Sequence, residues 1–243
     1  MEKISLQKIK WLRSLRNKKI RDDLSVFIVE GEKIVKELIE QFPEKIIFIL
    51  SSEELFVELG LINFENAFVG SGSDFEKVTS LISAPKIIAV ASNLDKKEIQ
   101  PNKPLLVLDG IQDPGNLGTI IRTADWFGYD QIVCSENTVD LHNQKVIQAS
   151  MGSIFRVNVV YQNLPTFLKD LNCPIHGALL QGEDLNCISS SEIKVLVLGS
   201  EGKGISNEVL PIISNPISIT GNGNAESLNV GIATGIFLHH WSR

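Results

Sequence analysis

The chain is poor in cysteine. Cys134, Cys173 and Cys187 are odd in number and form no C-x-x-C pair, which excludes a disulfide framework and a cysteine zinc site and leads us to expect three buried thiols. No apolar run approaches the roughly 18 residues of a membrane span, and Met1-Glu2-Lys3-Ile4 begins no apolar signal core, so a cytoplasmic, non-membrane protein is expected. Positive charge is also in deficit: 23 Lys and Arg face 29 Asp and Glu, a net −6 that by itself argues against a nucleic-acid partner. His142, His176 and the pair His239-His240 lack metal-ligand spacing with carboxylates or cysteines; they are read as structural, and no metal is expected. Complete nucleotide-binding glycine motifs are missing too. In Gly199-Ser-Glu-Gly-Lys-Gly204 the lysine falls before the last glycine rather than after it, which rejects a P-loop, and Gly221-Asn-Gly223 is not completed by a third glycine, since Glu226 stands there.

What is present is enough for a real core: 43% of the 243 residues are hydrophobic, room for one large domain or two modest ones. The scarce positive charge is also concentrated. Lys3, Lys8, Lys10, Arg13, Arg16, Lys18, Lys19 and Arg21 stand against the single acid Glu2 in the first 21 residues, a local +7 suited to phosphates on an otherwise acidic protein. Leu6, Ile9, Leu12 and Leu15 recur there with a helical period, giving a basic amphipathic helix.

Short apolar runs at 26–29, 46–50, 67–69 and 87–91 alternate with helical patterns at 32–41 and 74–82, the signature of a small α/β layer structure. A polar stretch ending in Pro101 and Pro104 reads as an exposed linker. We therefore expect a first domain over 1–95, a linker over 96–104 and a second domain over 105–243. In the second, strands are expected at 105–108, 131–134, 155–160, 175–180, 195–198 and 216–219. Nearly all are continuously apolar, as parallel strands buried on both faces are. A final helix, 227–241, is apolar around most of its circumference and needs more than one partner surface.

Three loops that follow strands are dense in small and polar residues. In Asp109-Gly-Ile-Gln-Asp-Pro-Gly-Asn-Leu-Gly118, glycines and Pro114 shape a turn and Asn116 can cap the helix that carries Arg122, one and a half turns on. The second, 198–206, sits where ligands of an open parallel sheet bind. The third, Ile219-Thr-Gly-Asn-Gly-Asn-Ala-Glu-Ser-Leu-Asn229, opens the final helix, with Ser227 as a candidate N-cap. Each loop alone also suits plain turn and cap chemistry. Trp126, on the Arg122 helix, is read as core rather than as a base-stacking platform.

Taken in order, Asn116-Leu-Gly-Thr-Ile-Ile-Arg122-Thr-Ala, Leu198-Gly199-Ser-Glu201-Gly-Lys-Gly204 and Ser227-Leu228-Asn229-Val230-Gly-Ile-Ala233 resemble the motifs of the SpoU (TrmH-type) RNA ribose 2′-O-methyltransferases of the SPOUT superfamily. Residues 1–100, with Phe27-Ile-Val-Glu-Gly31, resemble the ribosomal-protein-like substrate domain that many members carry. The resemblance implies an α/β fold: a small N-terminal α/β substrate domain, then a parallel-sheet α/β methyltransferase domain whose chain ends in a trefoil knot. It implies S-adenosylmethionine as cofactor, held at Gly199, Ile219 and Leu228, and a catalytic set of Asn116, Arg122, Glu201, Ser227 and Asn229. It also implies a homodimer through the C-terminal domain. Thr220-Gly221 departs from the family, where a proline and a larger apolar residue are usual, and this implies a looser cofactor loop.

Methyl transfer to a ribose 2′-hydroxyl must align the two groups and accommodate charge on the oxygen. A guanidinium with a pKa above about 12 is a poor proton acceptor, so Arg122 is expected to stabilise the developing alkoxide, Asn116 to orient the ribose or the arginine, Glu201 to hold the cleft's hydrogen bonds, and Ser227 and Asn229 to fix the loop geometry. A separate basic substrate domain favours a large folded RNA, ribosomal above transfer RNA. A transfer-RNA methyltransferase, an RNA-binding module without catalysis and a nucleotide-using oxidoreductase remain as alternatives; titration with S-adenosylmethionine and with NAD discriminates between the enzyme classes.

Overall fold

The structure, a computed structural model, describes residues 1–189 and 193–242. It divides into two compact units: Met1–Asp95 with His142–Gly152, and Lys96–Leu141 with Ser153–Arg243. The first unit runs β1 (Glu2–Lys3), α1 (Leu6–Ser14), α2 (Lys18–Leu24), β2 (Val26–Glu30), α3 (Glu32–Gln41), β3 (Ile46–Ser51), α4 (Glu53–Glu58), β4 (Ala67–Val69), α5 (Gly72–Val78) and β5 (Ile87–Ser92). The chain then forms β6 (Leu105–Asp109), α6 (Pro114–Trp126) and β7 (Gln131–Ser135) in the second unit, and adds α7 (Gln144–Ser150) to the first. It completes the second unit with β8 (Asn158–Gln162), α8 (Leu164–Lys169), β9 (Ile175–Asp184), β10 (Val195–Gly199), β11 (Asn215–Ser218) and α9 (Val230–Trp241).

In the first unit the basic helix expected at the N-terminus is two helices. Ser5 caps α1 through Lys8 N–H and Asn17 caps α2 through Lys19 N–H at 2.9 Å, so the chain turns between them. Ile9, Leu12 and Leu15 are buried against Phe48, Phe68 and Phe75, while Leu6 lies exposed. Two of the eight basic residues are consumed by this turn. The buried Arg21 donates from Nη1 to the carbonyls of Leu15 and Arg16, both at 3.0 Å, and Arg16 donates to Val78 O and Thr79 O at the end of α5. Carbonyls at helix ends lack intrahelical partners, and these guanidiniums supply them.

The five-stranded sheet has the order β1-β4-β3-β5-β2, with β5 antiparallel to its neighbours. Its edge strand β2 is covered by α7, where Gln144 Nε2 donates to Ile28 O at 3.3 Å and Gln148 Nε2 to Glu30 O at 2.7 Å. The four-residue step along the helix, about 6 Å, matches two strand residues, about 6.7 Å, so alternate edge carbonyls are capped in register.

The second unit is a six-stranded, wholly parallel sheet in the order β11-β9-β10-β6-β7-β8, with β6 and β10 near its centre. Leu105–Leu108, Ile132–Cys134 and Val195–Leu198 are buried on both faces, as their unbroken apolar character requires. The loops after β6, β10 and β11 leave the carboxyl ends of parallel strands and so fall on one side of the sheet, with Asp109 and Gly199 in register. α9 packs on α6 through small residues: a Cβ on Gly231 would lie 3.2 Å from Thr119 Cγ2, and one on Gly235 would lie 3.9 Å from Thr123 Cγ2.

Several sequence readings are corrected. Of the cysteines only Cys134 is buried; Cys173 is half-buried and Cys187 exposed, because the latter two lie outside the strand cores. Trp126 is 84% exposed, since α6 turns Leu117, Ile120, Ile121 and Ala124 inward and leaves 119, 122 and 126 on the opposite face. Phe155 lies in a 3-10 turn, and its strand begins only at Asn158. The final helix begins at Val230, and its N-cap is Asn229 rather than Ser227.

Candidate active site

The helix after β6 is started by Asp113, whose carboxylate accepts Asn116 N–H at 2.9 Å, with Pro114 in the first turn. Asn116 was expected as this cap. Because Asp113 does that work, the Asn116 side chain is released toward the other two loops; the Asp-Pro pair is the sequence signal that pointed to the true cap. The preceding turn is pinned by β7, with Gly110 N–H donating to Ser135 Oγ at 2.8 Å and Gln112 Nε2 to Asn137 O.

The second loop closes on itself. Ser200 N–H donates to Gly204 O at 3.1 Å and Gly204 N–H to Ser200 O at 2.8 Å, with Gly204 at φ +65°. A Cβ on Gly199 would lie 2.0 Å from Gly204 C, so only glycine admits this return of the chain. The buried Asp109 ties the loop to β6 by accepting Ser206 N–H at 2.7 Å, a role that the sequence reading missed. Glu201 stands exposed at the tip of the turn.

In the third loop Asn229 accepts Gly231 N–H at 2.9 Å and Ile232 N–H at 3.3 Å through Oδ1, which leaves its amide nitrogen free to reach outward. That nitrogen donates to Asn116 Oδ1 at 2.9 Å, and Asn116 Nδ2 in turn donates to the Glu201 carboxylate. The result is a directed chain from the α9 N-terminus through Asn229 and Asn116 to Glu201. Each amide accepts through its oxygen and donates through its nitrogen, Asn229 taking two N–H groups at Oδ1, so the two side chains have a single consistent orientation. The Glu201 carboxylate retains further acceptor capacity at an exposed position, suited to a hydroxyl group of a ligand.

Not every expected residue joins this chain. Arg122 lies six residues beyond Asn116, two-thirds of a turn off its face. It is exposed, and among the described residues no hydrogen bond or ion pair reaches it. Ser227 and Leu228 are exposed, while Ile219 is half-buried just after β11. Among the described residues the backbone of 221–228 makes no hydrogen bond. Its amides and carbonyls are thereby left open to solvent or to a ligand.

The sequence profile described as the SpoU rRNA Methylase family matches residues 103–239, and that of the MRM3-like substrate binding domain matches residues 7–89. This chain belongs to the SpoU rRNA methylase family. It is 33% identical, over 99% of its length and 98% of the relative's, to the Bacillus subtilis (strain 168) 23S rRNA (guanosine(2553)-2′-O)-methyltransferase RlmP. Its structure resembles that of an AdoMet-bound rRNA methyltransferase from Sinorhizobium meliloti, with a TM-score of 0.86, 27% identity and coverage of 99% and 97% of the two chains. The SpoU methyltransferase AviRb from Streptomyces viridochromogenes, in complex with AdoMet, shares the fold at a TM-score of 0.84 and 20% identity, over 98% of this chain and 97% of that one. The chain is accordingly an S-adenosylmethionine-dependent RNA ribose 2′-O-methyltransferase.

Proposed function

We propose that the substrate is ribosomal RNA, and that Asn116, Arg122, Glu201, Ser227 and Asn229 serve the transfer while Gly199, Ile219 and Leu228 surround S-adenosylmethionine. The observation that carries this reading is the hydrogen-bonded chain Asn229–Asn116–Glu201, which draws the three motif loops to one point. The cofactor supplies an activated methyl group. Glu201 accepts from a ribose hydroxyl and fixes the sugar, and Asn116 holds that carboxylate in place. Arg122, with no internal partner among the described residues, is available to place positive charge beside the 2′-oxygen as its proton passes to water or to a phosphate oxygen of the RNA. Ser227 and the caps at 229 set the end of the cofactor loop.

Ribosomal rather than transfer RNA is favoured by the substrate-binding domain over 7–89 and by a relative that modifies 23S rRNA along its whole length of similarity. The enzyme would act in the cytoplasm, where that RNA is assembled, and no described helix is long and apolar enough to cross a membrane. A trefoil threading is consistent with the path after β11. From that edge of the sheet the chain returns to lay α9 on α6 and β10 at its centre.

We further infer a homodimer through the α6–α9 face. Trp126, Ile232 and Ile236 are 84%, 58% and 37% exposed there, an apolar stripe that an isologous contact would cover. Arg122 shares this face of α6 with Trp126, one turn apart, so pairing would bring it to the interface. Mapping ribose-methylated nucleotides in total RNA with and without the gene tests the substrate. A missing 2′-O-methyl in ribosomal RNA is expected; a loss confined to transfer RNA overturns that assignment. Light scattering at micromolar concentration is expected to report twice 26.8 kDa.

A further inference from the structure

The loop 219–229 is sparsely supported by its own backbone. Residues 220–229 are all exposed, Gly221 and Gly223 allow wide backbone freedom, and among the described residues 221–228 make no backbone hydrogen bond. Its two ends are nevertheless tied by side chains. At the far end Asn229 is held by Asn116, as described above. At the near end the hydroxyl of Thr220 donates to Oδ2 of Asp184.

Asp184 is built to receive that hydroxyl. It ends β9 opposite Ser218, at the close of the β9–β11 pairing. The pairing there is irregular: Pro216 faces Gly177, but the next residue, Ile217, faces Glu183. Residues 178–182 therefore leave the ladder, and a Cβ on Gly182 would lie 2.7 Å from Ile217 N, so the strands close tightly again before Asp184. Ser218 Oγ reinforces the closure by donating to Gly182 O at 3.1 Å. The two carboxylate oxygens then divide their work. Oδ1 accepts Asn186 N–H and Nδ2, both at 2.8 Å, which caps the short turn 185–187, and Oδ2 takes Thr220. These donors, Thr220 first, hold the carboxyl below the ordinary aspartate range.

We propose that Asp184 and Thr220 form a clasp that presets the cofactor loop, acting as positioning residues for S-adenosylmethionine through the adjacent Ile219. The clasp rests on the reading that 219–228 binds the cofactor. It replaces by a side-chain bond the stiffness that a ring at position 220 would provide, and so anchors the near end of the looser loop implied by Thr220-Gly221. A preset loop loses less conformational entropy on binding, so the bond strengthens cofactor affinity without touching the reacting atoms.

The test compares wild type with Thr220→Val, which keeps shape and removes the donor, and with Thr220→Ser, which restores it. Calorimetric titration with S-adenosylmethionine is expected to show Kd raised about 5- to 10-fold in the valine variant, the size of one net hydrogen bond, and returned to within about twofold by serine. With ribosomal RNA from cells lacking the gene as acceptor, KM for S-adenosylmethionine should rise by the same factor while kcat at saturation holds. Wild-type affinity in Thr220→Val overturns the clasp and leaves the cofactor site standing. No binding by wild type overturns the cofactor site and the clasp together. Loss of melting temperature with kcat and KM both impaired overturns it in favour of a merely structural bond.

Discussion

Three arginines separate the two units. Arg16 and Arg21 in the first lie where the sequence carries its densest positive charge, yet both guanidiniums are spent on helix-end carbonyls. Arg122 in the second stands in an unremarkable stretch of α6, exposed and, among the described residues, unengaged. Charge density in sequence therefore marks neither RNA contact nor catalysis by itself. What distinguishes an available guanidinium from a spent one is whether unsatisfied backbone acceptors lie within its reach. The same contrast holds for the polar side chains: Gln144 and Gln148 complete an edge strand, whereas Asn116 and Asn229 tie together loops that are otherwise exposed.

The sharpest test of the comparison is Arg122→Ala. Turnover in a single-turnover methylation assay should fall about 100-fold or more, with cofactor affinity and melting temperature close to wild type, as for loss of a donor used only in the transition state. Arg122→Lys should rescue weakly, because a point charge does not reproduce the planar fork. A fall in melting temperature with near-normal turnover would place Arg122 with Arg16 and Arg21 and break the contrast.

Next in size is the reverse experiment. Arg21→Met leaves the carbonyls of Leu15 and Arg16 without their donor and should destabilise the protein by about 2 kcal/mol in urea unfolding, while cofactor binding by the folded protein is unchanged. Smaller still is the combined replacement of Lys3, Lys10, Arg13 and Lys19 by Ala. These four are exposed, and all lie outside the carbonyl-capping pair. RNA affinity at low salt should drop roughly tenfold, with the slope of log affinity against log salt shallower by up to about 0.9 for each phosphate that is no longer neutralised. An unchanged slope would remove this face from RNA binding.

The smallest effect concerns Glu30, buried on β2. Burial pushes its carboxyl above the ordinary range, against the pull of the Thr79 hydroxyl and of Arg16. A carboxyl raised in the folded state favours folding when protonated and loses that contribution as pH rises through its folded value. Urea unfolding from about pH 4 to 7 should therefore show Glu30→Gln gaining stability relative to wild type as pH increases. A constant difference across that range would show that Glu30 titrates alike in both states.

Much of this architecture could be read directly from the residues. Runs such as Leu105–Leu108 and Val195–Leu198 have no polar alternation, and only a strand covered on both faces satisfies them, so the parallel sheet followed. Boundaries were read less well where side-chain capping decides them. Asn17 cuts one amphipathic pattern into two helices, and Asn229 starts α9 three residues later than the apolar pattern suggests. The return of α7 to the first unit had no local signal, because two glutamines become edge caps only once β2 lies beside them.

The sequence by itself determined which residues are apolar together and which loops are rich in small and polar groups, because burial and turn chemistry are local or periodic properties of the chain. It also determined the family, through three ordered motifs. Only the tertiary structure decided that Asn116 meets Glu201 across 85 residues and Asn229 across 113, that Asp184 receives Thr220, and that Arg21 is buried while Arg122 is exposed. Such pairings depend on where separate strands end in space, and a hydrogen bond is fixed by distances of a few tenths of an ångström that no spacing along the chain encodes.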